Sequence, residues 1–405
     1  MSAVSPVRGV GGLAAHAVQA DTTDPAADVQ RWTRLLLLAS ASGGDAFSEH
    51  CAAFPFAAVV DHVRRFGKTA VSPWLPTTLE YAHRALHQCA RGFGAGLDAG
   101  TPGGVLDRWL PLTFDLHRDA VSYDSYIGNP LLESVDGGTA AVDGLITALV
   151  ADLAGHEARE RSRTAGSGQQ KRTRAALRAL LRVREVAPYA TNAVAAGTEA
   201  DEPDSAVAAA VLAARTLEAT PRSVAQVVTL TMLPMTALHD EVMFVRTVQI
   251  LDRLFAVLAA AAREADKALA ERDVRAAAAL LDSAAGRVEG TAPLLRLLAT
   301  MPAEVFAVLR MTTEGSSAIQ SRSFRDFETT AAALDPALLP AADRDRIHRS
   351  MARLQGAWQA FKRTHWGIAV KLVGSAAGTG GTSGARYLRE RVDRPLFPLL
   401  PGSAR

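Results

Sequence analysis

The chain has 405 residues, enough for one large domain or two of ordinary size and for a sizeable hydrophobic core. Hydrophobic residues make up 48% of it, which is typical of a packed globular protein and argues against a disordered chain. Lysine and arginine total 44 against 42 for aspartate and glutamate, and this balance gives no reason to expect a nucleic acid or an anionic membrane as a partner.

The two cysteines, Cys51 and Cys89, are too few for a disulfide framework, so we expect a reducing compartment and a cytoplasmic protein. The longest uninterrupted apolar runs are shorter than the roughly 18 residues that a membrane-spanning helix needs, and no membrane span is expected. The segment 9–20 lacks the hydrophobic middle of a secretory signal. We interpret about the first 25 residues as a disordered tail.

Alanine and leucine dominate, and long segments carry an apolar period of about 3.6 residues, so the predicted fold class is all-α. The first predicted helices cover 28–41, 47–66 and 76–93. A second group covers 139–155, 172–186 and 205–217, with polar linkers at 156–171 and 197–205. The last and longest helices cover 237–271, 273–286, 290–312, 322–334 and 341–373, before a Gly-rich loop and a short final helix.

A histidine lies in the middle of the apolar stripe of the predicted helix 341–373. The stripe consists of Leu354, Trp358, Phe361, His365, Ile368 and Leu372. A lone histidine in such a stripe is more often a core residue that is hydrogen-bonded to a neighbour. A neutral imidazole in apolar surroundings is also what haem iron needs on its proximal side. The spacing alone leaves both interpretations open.

The predicted helix 237–271 has an equally regular stripe. It is formed by Phe244, Val248, Leu251, Phe255 and Leu258. Together with the stripe around His365, it could supply the walls of a cavity between packed helices, a common place for cofactors in helical proteins.

Five glycines occur in the eleven residues Gly374–Gly384. No strand precedes this loop and no Gly-Lys-Ser/Thr follows it, so a phosphate-binding P-loop is not expected. A mobile lid over a site fits the pattern better. Upstream, the segment 315–328 contains Arg325, which is either a surface residue paired with Glu328 or the bidentate partner of a substrate carboxylate.

These segments, taken in order, resemble tryptophan 2,3-dioxygenase over roughly residues 237–400. The stretch from His365 to Gly374, followed by Gly378-Thr-Gly-Gly-Thr-Ser-Gly384, is similar to the family's haem-histidine helix and its GTGGSSG loop. The segment 318–328 is similar to GFQSxQFRxxE, and the segment 239–249 to HDExLFIxxHQ.

The resemblance implies a haem b cofactor with His365 as its proximal iron ligand. The resemblance also implies that three further residues contact the haem: Trp358, Gly378 and Gly380. It further implies an aromatic amino acid and O2 as substrates, with the substrate held by a second set of residues: Arg325, Thr379, Phe244, Val248, Tyr123 and Tyr126. The two tyrosines have the spacing of a Tyr-x-x-Tyr segment that the family contributes from a neighbouring subunit, which implies a homo-oligomer, either a dimer or a tetramer.

Val248 occupies the position of the family's distal histidine. A valine cannot accept the indole N–H, so this position suits a substrate without that group or leaves it unpaired. The resemblance therefore implies a haem-dependent oxygenase that inserts one or both oxygen atoms into tryptophan or a related aromatic amino acid, with natural-product biosynthesis as a possible setting.

Residues 1–110 have no counterpart in the family and are predicted to be a helical N-terminal extension. Residues 111–405 are predicted to be the haem-binding domain, with an inserted helical segment at about 137–230. Two alternatives remain from other classes: a non-catalytic haem or small-ligand binding protein, and a helical interaction protein without a cofactor.

Overall fold

The computed structural model describes residues 24–39, 44–94, 96–135, 137–163, 167–186, 206–312, 321–337, 339–374, 376 and 383–400. All regular elements in these ranges are helices and none is a strand, so the predicted all-α class is confirmed. The predicted N-terminal tail, apart from residues 24 and 25, and the linker 197–205 lie outside the described residues.

The first five helices are α1 (Ala26–Ala39), α2 (Gly44–Ala52), α3 (Phe56–Phe66), α4 (Trp74–Phe93) and α5 (Pro102–Phe114). The single helix predicted over 47–66 is in fact two helices, α2 and α3. The break falls at Pro55, which has no N–H to donate and disfavours helical geometry at Phe54. Helix α5 was not predicted, and it begins with the Thr101 side chain accepting a hydrogen bond from Gly104 N at 3.1 Å.

A 3₁₀ turn at Leu116–Arg118 leads into the middle group of helices. These are α6 (Tyr123–Ile127), α7 (Asn129–Leu132), α8 (Gly138–Arg163), α9 (Ser167–Val186), α10 (Ala206–Glu218) and α11 (Arg222–Leu230). Helix α8 continues well beyond its predicted end at residue 155. Residues 156–163 of the predicted linker continue α8 and residues 167–171 begin α9, and within this part Glu157 is fully buried and accepts a hydrogen bond from Gln169.

The last group contains the longest helices. They are α12 (His239–Ala270), α13 (Val274–Gly290), α14 (Ala292–Leu298), α15 (Ala303–Thr312), α16 (Arg322–Ala332), α17 (Ala341–Val373) and α18 (Ala385–Val392). The prediction for 341–373 matches α17 at both ends. The helix predicted over 290–312 is divided into α14 and α15 just before Ala303, where Pro302 interrupts the chain.

Helix α12 lies at the centre, with α8, α13 and α16 packed against it, and α17 packs on α13. One hydrophobic core contains side chains from Ala26 to Leu400, so the predicted extension 1–110 shares its core with the rest of the chain. The contact includes a hydrogen bond from Trp109 Nε1 to the Leu230 carbonyl at 2.9 Å and a buried ion pair between Lys68 and Asp115 at 2.8 Å.

Among the described helices, the segment Gly138–Arg161 of α8 is long and apolar enough to cross a membrane by length and composition. In its most apolar window 61% is buried inside the protein, and the core helix of a soluble protein gives the same result. A sharply bent pair, Val274–Leu298 with Ala303–Met311, also passes this weak criterion when it is counted as one segment.

Candidate functional site

His365 is half-buried on α17 and has no hydrogen-bond or ion-pair partner among the described residues. Burial lowers the pKa of its imidazole to about 4, so the ring is neutral at pH 7 and keeps a free nitrogen lone pair. The interpretation of His365 as a core histidine requires a hydrogen-bonding neighbour, and the described part of the chain supplies none. The imidazole is therefore chemically free to coordinate a metal.

A stack of aromatic rings fixes the plane of this imidazole. Trp358 lies nearly parallel to Phe361, with ring centroids 5.1 Å apart, and Phe361 lies nearly parallel to His365 at 6.3 Å. Phe255 of α12 meets Trp358 and Phe361 edge-on at 5.7 and 5.8 Å, and Phe324 of α16 at 5.2 Å. These ring contacts pack α12, α16 and α17 against one another next to His365.

Glu328 of α16 links this aromatic cluster to the end of the chain. Its carboxylate accepts hydrogen bonds from Trp358 Nε1 at 3.2 Å and from the Arg391 guanidinium. Lys362 lies 3.9 Å from the same carboxylate and donates to the Arg394 carbonyl at 2.7 Å, and burial lowers the pKa of its amine to about 8. Glu328 is therefore paired with α17 and α18, and its pairing with Arg325, one of the two alternatives drawn from the sequence, is wrong.

A small cavity of about 10 Å³ adjoins His365. Phe324, Phe361, Lys362 and Leu388 line it together with Arg391, whose Nε is buried without a hydrogen-bond partner. The cavity has room for about one water molecule and is far too small for a porphyrin.

Arg325 is exposed on α16 and has no hydrogen-bond or ion-pair partner in the described part of the chain. It follows the buried Phe324 by about 100° around the helix. It also lies one turn before Glu328, whose carboxylate contacts α17 and α18. Arg325 is thus a surface residue, as one of the two alternatives expected, and its guanidinium is unpaired among the described residues.

Four of the residues predicted to hold the substrate lie together in one apolar cluster, here called the tyrosine cluster: Tyr123, Tyr126, Phe244 and Val248. Val248 and Tyr126 are each 5% exposed, and Tyr123 and Phe244 are half-buried against them. The tyrosines are placed by the short helix α6, which begins with a capping box of Ser122 and Ser125. Both tyrosines pack against α12 of their own chain, whereas the resemblance implied that they are contributed by a neighbouring subunit.

Glu241, in the first turn of α12, holds Tyr126 in this position. Its carboxylate accepts hydrogen bonds from the Tyr126 hydroxyl at 3.1 Å and from the backbone N–H groups of Met235 and Thr236 at 2.7 Å each. Burial raises the pKa of Glu241 and raises that of Tyr126 well above its usual value, so the phenol stays protonated. Sequence reasoning assigned Glu241 no role, although the HDE signature pointed to it.

Two further residues of the same motif are structural. Arg246 is fully buried and donates to Asp152 at 2.7 Å, to Gln249 Oε1 at 2.7 Å and to the Val228 carbonyl at 2.6 Å. Gln249 in turn donates to the Ile127 carbonyl at 2.8 Å, at the end of α6. This network connects α12 with α8, α11 and α6, so it supports the helix that carries both tyrosines.

Polar groups beside the tyrosine cluster include the Tyr123 hydroxyl and Asp252 of α12, which contacts Ser323 of α16. The Tyr123 hydroxyl and Asp252 Oδ1 are both buried without a hydrogen-bond partner, and Asp252 Oδ2 accepts from Arg253 and, at 3.5 Å, from Ser323. Burial first, and then the negative charge of Asp252, raise the pKa of Tyr123 well above its usual value. Tyr123 is therefore a protonated phenol, and its hydroxyl has no partner among the described residues.

The loop residues Thr379, Gly378 and Gly380, predicted to contact substrate and haem, lie outside the described residues. The loop is flanked by Gly374, which ends α17 with φ of +60°, and by Gly384, which precedes α18 with φ of +64°. Side chains other than glycine rarely adopt this conformation, so glycine is required at both ends of the loop.

A pair of histidines that the sequence analysis did not single out lies between α8 and α12. The rings of His156 and His239 stack at 4.1 Å, and His239 Nε2 lies 3.2 Å from Glu157 Oε1. Burial, followed by the charge of His239, lowers the pKa of His156 to about 3.

The low pKa of His156 makes stability depend on pH. The unfolded chain binds a proton at His156 below about pH 6.5, whereas the folded chain binds it only near pH 3. The free energy of unfolding therefore decreases as the pH falls through this window. We expect His156 to cost up to about 1.4 kcal/mol per pH unit there. Urea unfolding at pH 7.5 and pH 5 measures this loss, which should be smaller in His156→Gln and unchanged in His117→Gln, an exposed control. Equal losses in all three proteins would contradict it.

Comparison with models of known protein families finds no match to this chain, and comparison with curated proteins finds no significant match.

Proposed function

We propose that the protein is a haem-dependent oxygenase that inserts oxygen from O2 into tryptophan or a related aromatic amino acid, as the resemblance of its motifs implies. The observation that carries the proposal is the half-buried, neutral and unpartnered imidazole of His365 beside a stack of aromatic rings. A cytoplasmic homo-oligomer remains part of the same proposal.

The donor chemistry at His365 fits a b-type haem. Neutral imidazole is a common proximal ligand of haem iron, and the parallel stack on Phe361 and Trp358 restrains its orientation. Apolar and aromatic side chains of α12, α16 and α17 supply the water-poor surroundings that a porphyrin needs. The cavity of about 10 Å³ beside His365 has room for about one water and, in this conformation, cannot hold a porphyrin. When bound, the haem supplies the redox chemistry with O2.

The groups assigned to the substrate divide into a charged end and an apolar end. The unpaired guanidinium of Arg325 is suited to bind the carboxylate of an amino acid in bidentate fashion. The tyrosine cluster offers Phe244 and Val248 as an apolar surface for an aromatic ring. Val248 offers the ring no hydrogen-bond acceptor, which favours a ring without a polar N–H or one whose N–H is oriented elsewhere.

No side chain of the tyrosine cluster is suited to act as a general base. Both phenols have raised pKa values and are protonated at pH 7, so they are hydrogen-bond donors. The Glu241 carboxylate already accepts from Tyr126 and from two backbone N–H groups. The contribution of these residues is therefore to position the substrate and exclude water.

The absorption spectrum of the full-length protein reconstituted with haem tests the proposal. A Soret band with one haem per chain is expected, followed by O2 consumption when aromatic amino acids are added. Mass spectrometry of the products under labelled O2 distinguishes insertion of one oxygen atom from two. The absence of a Soret band rejects the proposal, and a Soret band without O2 consumption on any aromatic amino acid supports the non-catalytic haem-binding alternative instead.

Arg325→Ala is expected to weaken substrate binding by about 2 kcal/mol, which corresponds to a roughly thirtyfold higher KM. Truncating one partner of a buried charge pair usually costs about 2–5 kcal/mol. We expect the lower end of this range because Arg325 is exposed in the absence of substrate. Arg325→Lys should recover part of the loss, since it keeps the charge but loses bidentate geometry. Steady-state O2 consumption measures both variants. Arg322→Ala, on the same helix and 3.8 Å from Asp326, is the control; equal KM values for Arg325→Ala and this control would contradict the assignment.

A further inference from the structure

Helices α4 and α5 bring two histidines and an aspartate together at a place unrelated to His365. His83 and His87 are one turn apart on α4, and both Nε2 atoms face Asp107 of α5. Asp107 Oδ1 lies 3.1 Å from His83 Nε2 and 2.8 Å from His87 Nε2, and the two Nε2 atoms are 3.2 Å apart. Three potential ligand atoms thus form a nearly equilateral triangle.

The orientation of the rings makes this triangle suitable for a cation. The two imidazoles are nearly perpendicular, at 86°, and both Nε2 atoms lie within 3.1 Å of the same Asp107 oxygen. In a tetrahedral site with metal–nitrogen distances of about 2.0–2.1 Å, neighbouring ligand atoms are about 3.3 Å apart. The observed separations of 2.8–3.2 Å need only a small expansion to reach this value.

The charges around the triangle agree with this role. Among the described residues, Asp107 has no ion-pair partner other than these two imidazoles. The side chains of His83, His87 and Asp107 are 22%, 41% and 30% exposed, so an ion can reach them from solvent and can keep a water ligand.

We propose that His83, His87 and Asp107 bind a divalent first-row transition-metal ion, with solvent completing its coordination shell. Two imidazoles and one carboxylate are the ligand types that such ions share. The ion would join α4 to α5, the helix whose C-terminal end leads through the 3₁₀ turn to α6.

The second histidine cluster of the described structure does not have this geometry. The rings of His156 and His239 are nearly parallel, at 13°, and stack at 4.1 Å. Their in-plane lone pairs therefore cannot converge on one ion, although Glu157 lies close by. The two histidine clusters therefore differ in the angle between their rings, and only the perpendicular pair, His83 and His87, is a candidate metal site.

Zn²⁺ titration of the full-length, chelator-treated protein by calorimetry tests the proposal. One Zn²⁺ per chain is expected to bind and to raise the Tm. Loss of a ligand should weaken this binding at least about a hundredfold, since changes outside the first ligand shell already cost 10–100-fold. We expect this loss for His87→Ala and for Asp107→Asn, which keeps the side-chain shape and tests the site even if His87→Ala does not fold.

His117→Ala, an exposed histidine in the same region, should retain full Zn²⁺ affinity, and so should His365→Ala, because the site is independent of the proposed haem. Co²⁺ substitution should give the visible absorption of a site with nitrogen and oxygen ligands, lost in Asp107→Asn. The absence of Zn²⁺ binding to the unaltered protein, or equal affinity in Asp107→Asn, overturns the proposal.

Discussion

Replacement of His365 by alanine is expected to abolish haem retention. The imidazole is the one neutral, unpartnered ligand donor beside the aromatic stack in the described part of the chain, and alanine has no atom that can coordinate iron. After reconstitution and gel filtration, the Soret absorbance per chain should fall at least tenfold, which corresponds to about 1.4 kcal/mol or more of binding free energy.

His348→Ala is the matched control for this variant, because His348 lies on the same helix and is also half-buried. It should retain haem as the unaltered protein does. Circular dichroism should give the same helix content for both variants, since Ala is the best helix former and His365 makes no hydrogen bond among the described residues. A Soret band of unchanged position and intensity in His365→Ala would show that the assigned ligand is wrong.

Replacement of Arg246 by methionine is expected to lower the free energy of unfolding by about 3 kcal/mol. Breaking a buried ion pair typically costs 3–5 kcal/mol, because the remaining charge stays buried without compensation. Arg246 is fully buried against Asp152, and its loss also removes donors to Gln249 and to the Val228 carbonyl. Arg64 lies 3.5 Å from Asp152 and keeps part of the charge balance, so we expect the lower end of the range.

Urea unfolding followed by circular dichroism measures this loss. Arg353→Met is the control, because Arg353 pairs with Glu289 at 3.1 Å on the surface, where both side chains are 49% exposed. Exposed pairs contribute about 0–1 kcal/mol, so this variant should unfold close to the unaltered protein. A loss in Arg246→Met no larger than in the control would mean that the buried network does not stabilise α12 as described.

The fold could be predicted from the sequence where one periodic pattern extends over a whole helix. Helix α17 was predicted with both of its ends, because its apolar stripe is continuous and Pro340 and Gly374 flank it. The apolar pattern failed at the end of α8, where Glu157 is buried through contacts to α9 that no local pattern reveals. The short helices α6 and α7 have too few residues to express a period, although they carry or adjoin both tyrosines.

The candidate site was predictable in part for the same reason. The resemblance assigned Tyr123, Tyr126, Phe244 and Val248 to one substrate site, and the structure brings them together within one chain. The partner of Glu328 was not predictable, because Arg391 is distant in the sequence and reaches it only through the packing of α18. The triangle of His83, His87 and Asp107 was missed because Asp107 lies on α5, a helix that the pattern did not indicate.

Because Tyr123 and Tyr126 pack against α12 of the same polypeptide, each chain has its own complete set of aromatic contacts. The positions of these two side chains therefore follow from the folding of one polypeptide and need no contact with an adjacent chain.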